Sequence, residues 1–141
     1  MKKKSLKFVV TIFMVLSVFV LTACDKYVSS WSATGFVHSN TSKSAYMSFW
    51  KFKGTMVLKL NCKDSTKEVL KYIGNLNNED EEENGTIKVY YDIDGTKKEL
   101  FSIKNGESVE ASLDKLSEGT VYIIVETDGR CENGTLEFNI E

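Results

Sequence analysis

The sequence contains no proline, one histidine, one arginine and three cysteines. Without proline, no strand is confined to a sheet edge by a missing backbone donor. Three cysteines are too few for a disulfide-dense scaffold or a four-thiolate zinc site. A single histidine, His38, leaves a Ser-His-Asp or Cys-His arrangement with one possible base. The only long apolar run, Phe8 to Val20, lies at the amino terminus.

That run has the layout of an export signal. Lys2, Lys3, Lys4 and Lys7 precede it, and Leu21-Thr22-Ala23 closes it before Cys24. Sixteen residues separate Lys7 from Cys24, short of the roughly 20 that a spanning helix needs. A basic start, an apolar stretch and a small-residue end describe a targeting segment rather than part of the fold. Leu-Thr-Ala-Cys resembles the bacterial lipobox. The resemblance implies a diacylglyceryl group on the Cys24 thiol, further fatty acylation of the palmitate type, and cleavage that leaves Cys24 first in the mature chain. Two acyl chains anchor firmly where one binds marginally. The expected location is the extracytoplasmic face of the cell membrane.

Residues 1–23 hold four of the 18 basic side chains and none of the 20 acidic ones, so residues 24–141 carry a formal charge of −6. That balance excludes nucleic acid as a partner and a polybasic hold on anionic lipid. The segment 24–44 is rich in serine, with Ser29, Ser30, Ser32, Ser39, Ser42 and Ser44, and reads as a lipidated, flexible tether. Phe36-Val37 could open a first strand. Residues 45–141 are long enough for one domain with one core.

Turn signals pace that domain. Asn84-Gly85, Asp94-Gly95, Asn105-Gly106, Glu118-Gly119, Asp128-Gly129 and Asn133-Gly134 offer the positive φ that tight turns demand. Between them apolar residues alternate: Ile87, Val89, Tyr91, Ile93; Val121, Ile123, Val125; Leu136, Phe138, Ile140. Period two across many short segments predicts an all-β, antiparallel β-sandwich, preceded by the signal-peptide helix and the tether. One stretch conflicts: Val69, Tyr72, Ile73 and Leu76 fall at helical spacing.

"GTIKVYYDIDG" (85–95), "EGTVYIIVE" (118–126) and "NGTLEFNIE" (133–141) resemble small Firmicute-type lipoproteins with a jelly-roll or galactose-binding-like sandwich. The last two also resemble the final strands of the secreted prepeptidase C-terminal domain. The resemblance implies a jelly-roll-like build and a strand, rather than a helix, over 66–76. It implies no activity.

Cys62 and Cys131 remain once Cys24 is committed to lipid. In an exported chain an even pair reads as a disulfide, closing about 70 residues and contributing roughly 4 kcal/mol. Two free thiols are the alternative, or a metal site, which would need more ligands than two cysteines and one histidine supply. The run Glu79-Asp80-Glu81-Glu82-Glu83 reads as a solvated loop, and Asp92-x-Asp94-Gly95 as a hairpin turn without the spaced glutamate of a calcium loop. No catalytic constellation, metal set or cofactor motif emerges.

The richest surface candidate is "AYMSFWKFKG" (45–54). Tyr46, Trp50 and Phe52 alternate onto one strand face, Met47 and Phe49 onto the other. The expectation is that both faces pack and that Trp50 is core. Exposed, the three rings would form a stacking platform for a glycan or a protein partner. The function that follows is a non-enzymatic binding module of the cell envelope. The alternative is a carboxylate- or metal-dependent hydrolase of envelope polymers.

Overall fold

The computed structural model describes residues 26–77 and 85–141. The signal segment, Cys24, the acidic run and Asn84 lie outside the described residues. Within them run nine strands: β1 (Ser30–Thr34), β2 (Val37–Asn40), β3 (Ser44–Cys62), β4 (Leu70–Leu76), β5 (Thr86–Asp92), β6 (Lys98–Ile103), β7 (Ser108–Leu113), β8 (Gly119–Asp128) and β9 (Cys131–Ile140). Every pairing is antiparallel.

β3 belongs to both layers of the sandwich. Its second half, from Thr55 to Cys62, pairs with β8 in a layer ordered β6-β5-β8-β3. Its first half, from Ser44 to Phe52, pairs with β9 in a layer ordered β3-β9-β4-β7. The strand turns between them at Gly54, where φ is 131° and the N–H donates to Thr127 Oγ1 at 2.8 Å. An added Cβ there would come within 2.3 Å of the Ser30 carbonyl oxygen, so the corner requires glycine. The end of β3 then returns to the residues just before its start: Asn61 N–H donates to the Ser42 carbonyl at 2.7 Å. From β3 onward the chain alternates between layers except at the β5–β6 hairpin, which is the jelly-roll wrap.

The inner faces share one apolar core. Phe101 of the first layer stacks on Tyr72 of the second, with centroids 5.2 Å apart, and lies 6.4 Å from Phe138. Gly74 makes room for that ring, since a Cβ would sit 3.2 Å from it and 2.9 Å from Leu136. The strand expected over 66–76 is thus a strand from Leu70 to Leu76 despite its helical stripe. Lys67 and Glu68 belong to a turn, their N–H groups donating to Asp64 O. Leu70, Tyr72, Gly74 and Leu76 face inward while Lys71 and Ile73 face out.

Residues 26–44 correct the tether expectation. β1 and β2 pair with β3, and the polar side chains around them satisfy its second half along the open edge. Ser29 Oγ accepts from Val57 N–H at 2.8 Å. The Asn40 side chain accepts from Lys59 N–H at 2.9 Å and donates to Lys59 O at 2.7 Å, as a neighbouring backbone would. Lys43 Nζ donates to Asn61 O at 2.9 Å. Side chains that look like flexible linker are the caps of an edge strand.

The inward face of β3 changes phase along its length. Ala45, Met47 and Phe49 are buried, then Phe52, Met56, Leu58, Leu60 and Cys62. A strand of period two changes from odd to even positions only through a local irregularity. Register places Gly35 and Asn133 on either side of Trp50, and both have positive φ, 59° and 49°. Asn133-Gly134 is therefore no hairpin turn. It lies within β9, where Gly134 accommodates the Phe49 ring, which a Cβ would approach to 2.3 Å.

Candidate functional site

The outer face of the second layer collects the exposed side chains of β2, β3, β9, β4 and β7. Direct cross-strand partners form one row of Ser39, Tyr46, Glu137, Ile73 and Glu110, and the next of Val37, Ser48, Thr135, Asn75 and Ser108. Trp50 follows Tyr46 and Ser48 along β3 and is 52 % exposed. Ile73 is 41 % exposed in the middle of the face. Beside it lies a cleft of about 340 Å³ bordered by Lys71, Glu110, Ser112, Asn139 and Glu141. Lys71 Nζ and Glu141 Oε2 are 2.7 Å apart, and this pairing raises the lysine pKa.

Trp50 is thus not core, contrary to the sequence expectation. The phase change at the row Gly35, Trp50, Asn133 turns it outward and turns Phe52 inward, where that ring is fully buried. Tyr46 and Trp50 share a face; Phe52 leaves it. Lys51 Nζ sits 5.0 Å from the centroid of the Trp50 ring, a cation–π contact at the corner of the sandwich.

A second aromatic group, missed by the sequence reading, flanks the corner. Trp31 of β1 packs on Phe36 at 4.6 Å, and Phe36 stacks with His38 at 4.9 Å. Phe36 and Phe52 are 5.6 Å apart, so this ladder closes the core at the sheet edge. Trp31 remains 43 % exposed, and on the same strand Ser32 and Thr34 line a cleft of about 280 Å³ with Lys51 and Arg130. The only signal in the sequence was the aromatic interruption of a serine-rich stretch.

Cys62 and Cys131 do not bridge; both are buried thiols. Cys62 ends β3 opposite Gly119, whereas Cys131 pairs with Phe52 beyond the Gly54 corner. The straight run from Gly54 to Cys62 alone covers roughly 25 Å at about 3.3 Å per residue, against the 7 Å or so that a disulfide tolerates between Cα atoms. Burial, then the neighbouring Glu68, pushes the Cys62 thiol pKa up, which makes it a poor nucleophile.

The carboxylates near the two ends of the wrap are engaged by donors. Asp92 is 2 % exposed. It accepts from Lys26 Nζ and Tyr27 Oη at 2.6 Å each, and from Gly95 N–H at 2.7 Å. Burial alone would raise its pKa, but these donors outweigh burial and hold it at about 2. Glu68 is held at about 2 chiefly by Lys43, whose Nζ lies 2.8 Å away, and then by Lys63 N–H at 2.9 Å. Among the described residues, no three His, Cys, Asp or Glu side chains converge to hold a metal ion.

No family model matches the chain, and no curated protein matches it. Solved structures of similar build include TmCBM61 in complex with β-1,4-galactotriose, with a TM-score of 0.49, 12% identity, and coverage of 80% of this chain and 87% of that one. The mannan-recognising carbohydrate-binding module TmCBM27 gives 0.42 and 12%, covering 82% and 96%. Murine APRIL gives 0.41 and 11%, covering 80% and 98%. At such identities and TM-scores these likenesses assign no ligand to this chain.

Proposed function

We propose that the protein is a non-enzymatic, lipid-anchored module of the cell envelope that binds a glycan on the outer face of its second layer. The observation that carries this reading is the exposure of Trp50. A tryptophan held outward between two residues of positive φ, with Tyr46 on the same strand face, offers a rigid ring for the C–H surface of a sugar. Farther along the same face, Glu137, Glu110, Asn139 and Ser112 supply acceptors and donors for the hydroxyl groups of a longer saccharide. Protein interfaces are depleted in serine and glutamate at their centres, so a face this polar suits a saccharide better than a protein. The lipobox resemblance at Cys24 supports the anchor, and the charge of −6 supports a partner other than nucleic acid.

A panel of envelope and plant glycans tested against residues 25–141 is the deciding experiment. Binding by the native sequence, lost in Trp50→Ala while the protein still melts cooperatively and close to the native temperature, is expected. Absence of binding across the panel, with capture of an envelope protein through the same face, would replace the glycan by a protein. The anchor is tested separately by metabolic fatty-acid labelling, which Cys24→Ala should abolish.

A further inference from the structure

The chain enters the folded domain with no slack. Lys26 is two residues beyond Cys24, at most about 7 Å of extended chain. Lys26 and Tyr27 are already fixed, because both donate to the buried carboxylate of Asp92 at the end of β5, and Lys26 also reaches Gly95 O at 3.1 Å. The Tyr27 ring meets Tyr122 edge-on at 5.3 Å, and two residues later Ser29 caps Val57. Residues 26–29 therefore form a strap that starts at the β5–β6 turn and crosses β8 to the β3 edge on the outer face of the first layer. Tyr46 and Trp50 project from the outer face of the other layer.

We propose that a lipid on Cys24 sets this domain on the membrane in one orientation, with the strap and the β5–β6 turn toward the phospholipid headgroups and the Tyr46–Trp50 face away from them. The proposal rests on the reading of Cys24 as the lipidated residue. The lysines nearest the strap and the β5–β6 turn are already engaged by carboxylates. On the strap side Lys97 is paired with Glu126 at 2.7 Å, Lys98 lies 3.5 Å from Asp94, and Lys26 is committed to Asp92. Footing comes from the short, latched connection. A binding face turned outward is then presented to soluble or wall-bound polymer rather than to lipid.

The test uses the full lipidated chain in phosphatidylcholine–phosphatidylglycerol vesicles doped with nitroxide-headgroup lipid. Thr96→Cys and Ile73→Cys carry a fluorophore, one in each; buried Cys62 and Cys131 do not compete for it. Several-fold stronger quenching at position 96 than at 73 is expected, with little change on adding salt. A Gly-Ser insert of about 12 residues between Asp25 and Lys26 leaves the strap intact but lengthens the connection, and should bring the two signals together. Equal quenching in the native chain, or a difference that the insert does not reduce, overturns the orientation while flotation with the vesicles still upholds the anchor. Loss of flotation together with absent fatty-acid label overturns the anchor and the orientation with it.

Discussion

Tyr27 donates its hydroxyl to Asp92 Oδ2 across 2.6 Å, joining the entry of the chain to the end of β5, 65 residues away. A hydrogen bond to a charged group contributes about 1.5–3 kcal/mol, so Tyr27→Phe should destabilise the domain by that order. The pairing also sets a pH dependence. Asp92 and Glu68 titrate near 2 in the folded state, below their ordinary 3.8 and 4.5. A depressed carboxylate contributes stability above its unfolded pKa and loses it as pH falls through the folded one. The melting temperature should therefore hold down to about pH 5 and drop between there and about pH 2. In Asp92→Asn the drop should be shallower. Parallel curves for the native and Asp92→Asn proteins would remove Asp92 from the account.

The two inner thiols make a redox prediction. Cys62 and Cys131 sit on opposite sides of the Gly54 corner in register, so dithiothreitol should leave the melting temperature unchanged. Non-reducing peptide mapping should recover both as separate peptides that alkylate only after unfolding. A crosslinked peptide containing both would require a different path for β3.

Asn40 stands in for a neighbouring strand by bonding both backbone groups of Lys59. Asn40→Ala removes both bonds and bares the edge. A loss of about 1–3 kcal/mol is expected, with concentration-dependent self-association seen by sedimentation as the exposed edge finds another copy. A variant that stays monomeric at the highest concentrations would show that Ser29, Ser42 and Lys43 guard the edge without it.

These contacts explain what the sequence made legible. The alternation of Ile87 and Val89, of Val121, Ile123 and Val125, and of Leu136, Phe138 and Ile140 is a local property, and the sandwich follows from it. The role of Ser29 or Asn40 is not local: each is decided by a backbone group about 20 to 30 residues further on, so a serine-rich stretch reads as linker until β3 is beside it. The Asn133-Gly134 pair shows the same limit. Its readiness for positive φ is legible in the sequence, but that conformation serves a mid-strand phase change instead of a turn. Because the change is shared by β3 and its two neighbours, Tyr46, Trp50 and Phe52 could not be sorted from the pattern of one strand. Tertiary packing likewise overrode the helical stripe at Val69 to Leu76, since Gly74 has to admit the Phe101 ring.

The difference between Trp50 and Phe52, two residues apart, separates binding from packing. Phe52 is fully buried against Phe49, with centroids 5.2 Å apart, so Phe52→Ala should cost about 3–5 kcal/mol and lower the melting temperature steeply. Trp50 is half exposed and its ring meets Lys51 in a cation–π contact, so Trp50→Ala should cost clearly less than Phe52→Ala. Its fluorescence should be red-shifted and open to iodide. Trp31 contributes the second signal, and Trp31→Phe isolates Trp50. Ligand binding should fall in Trp50→Ala in proportion to the lost ring and persist in Trp50→Phe, which keeps a stacking surface. A Trp50→Ala protein that melts many degrees lower would make this residue part of the scaffold and leave the outer face without its anchor.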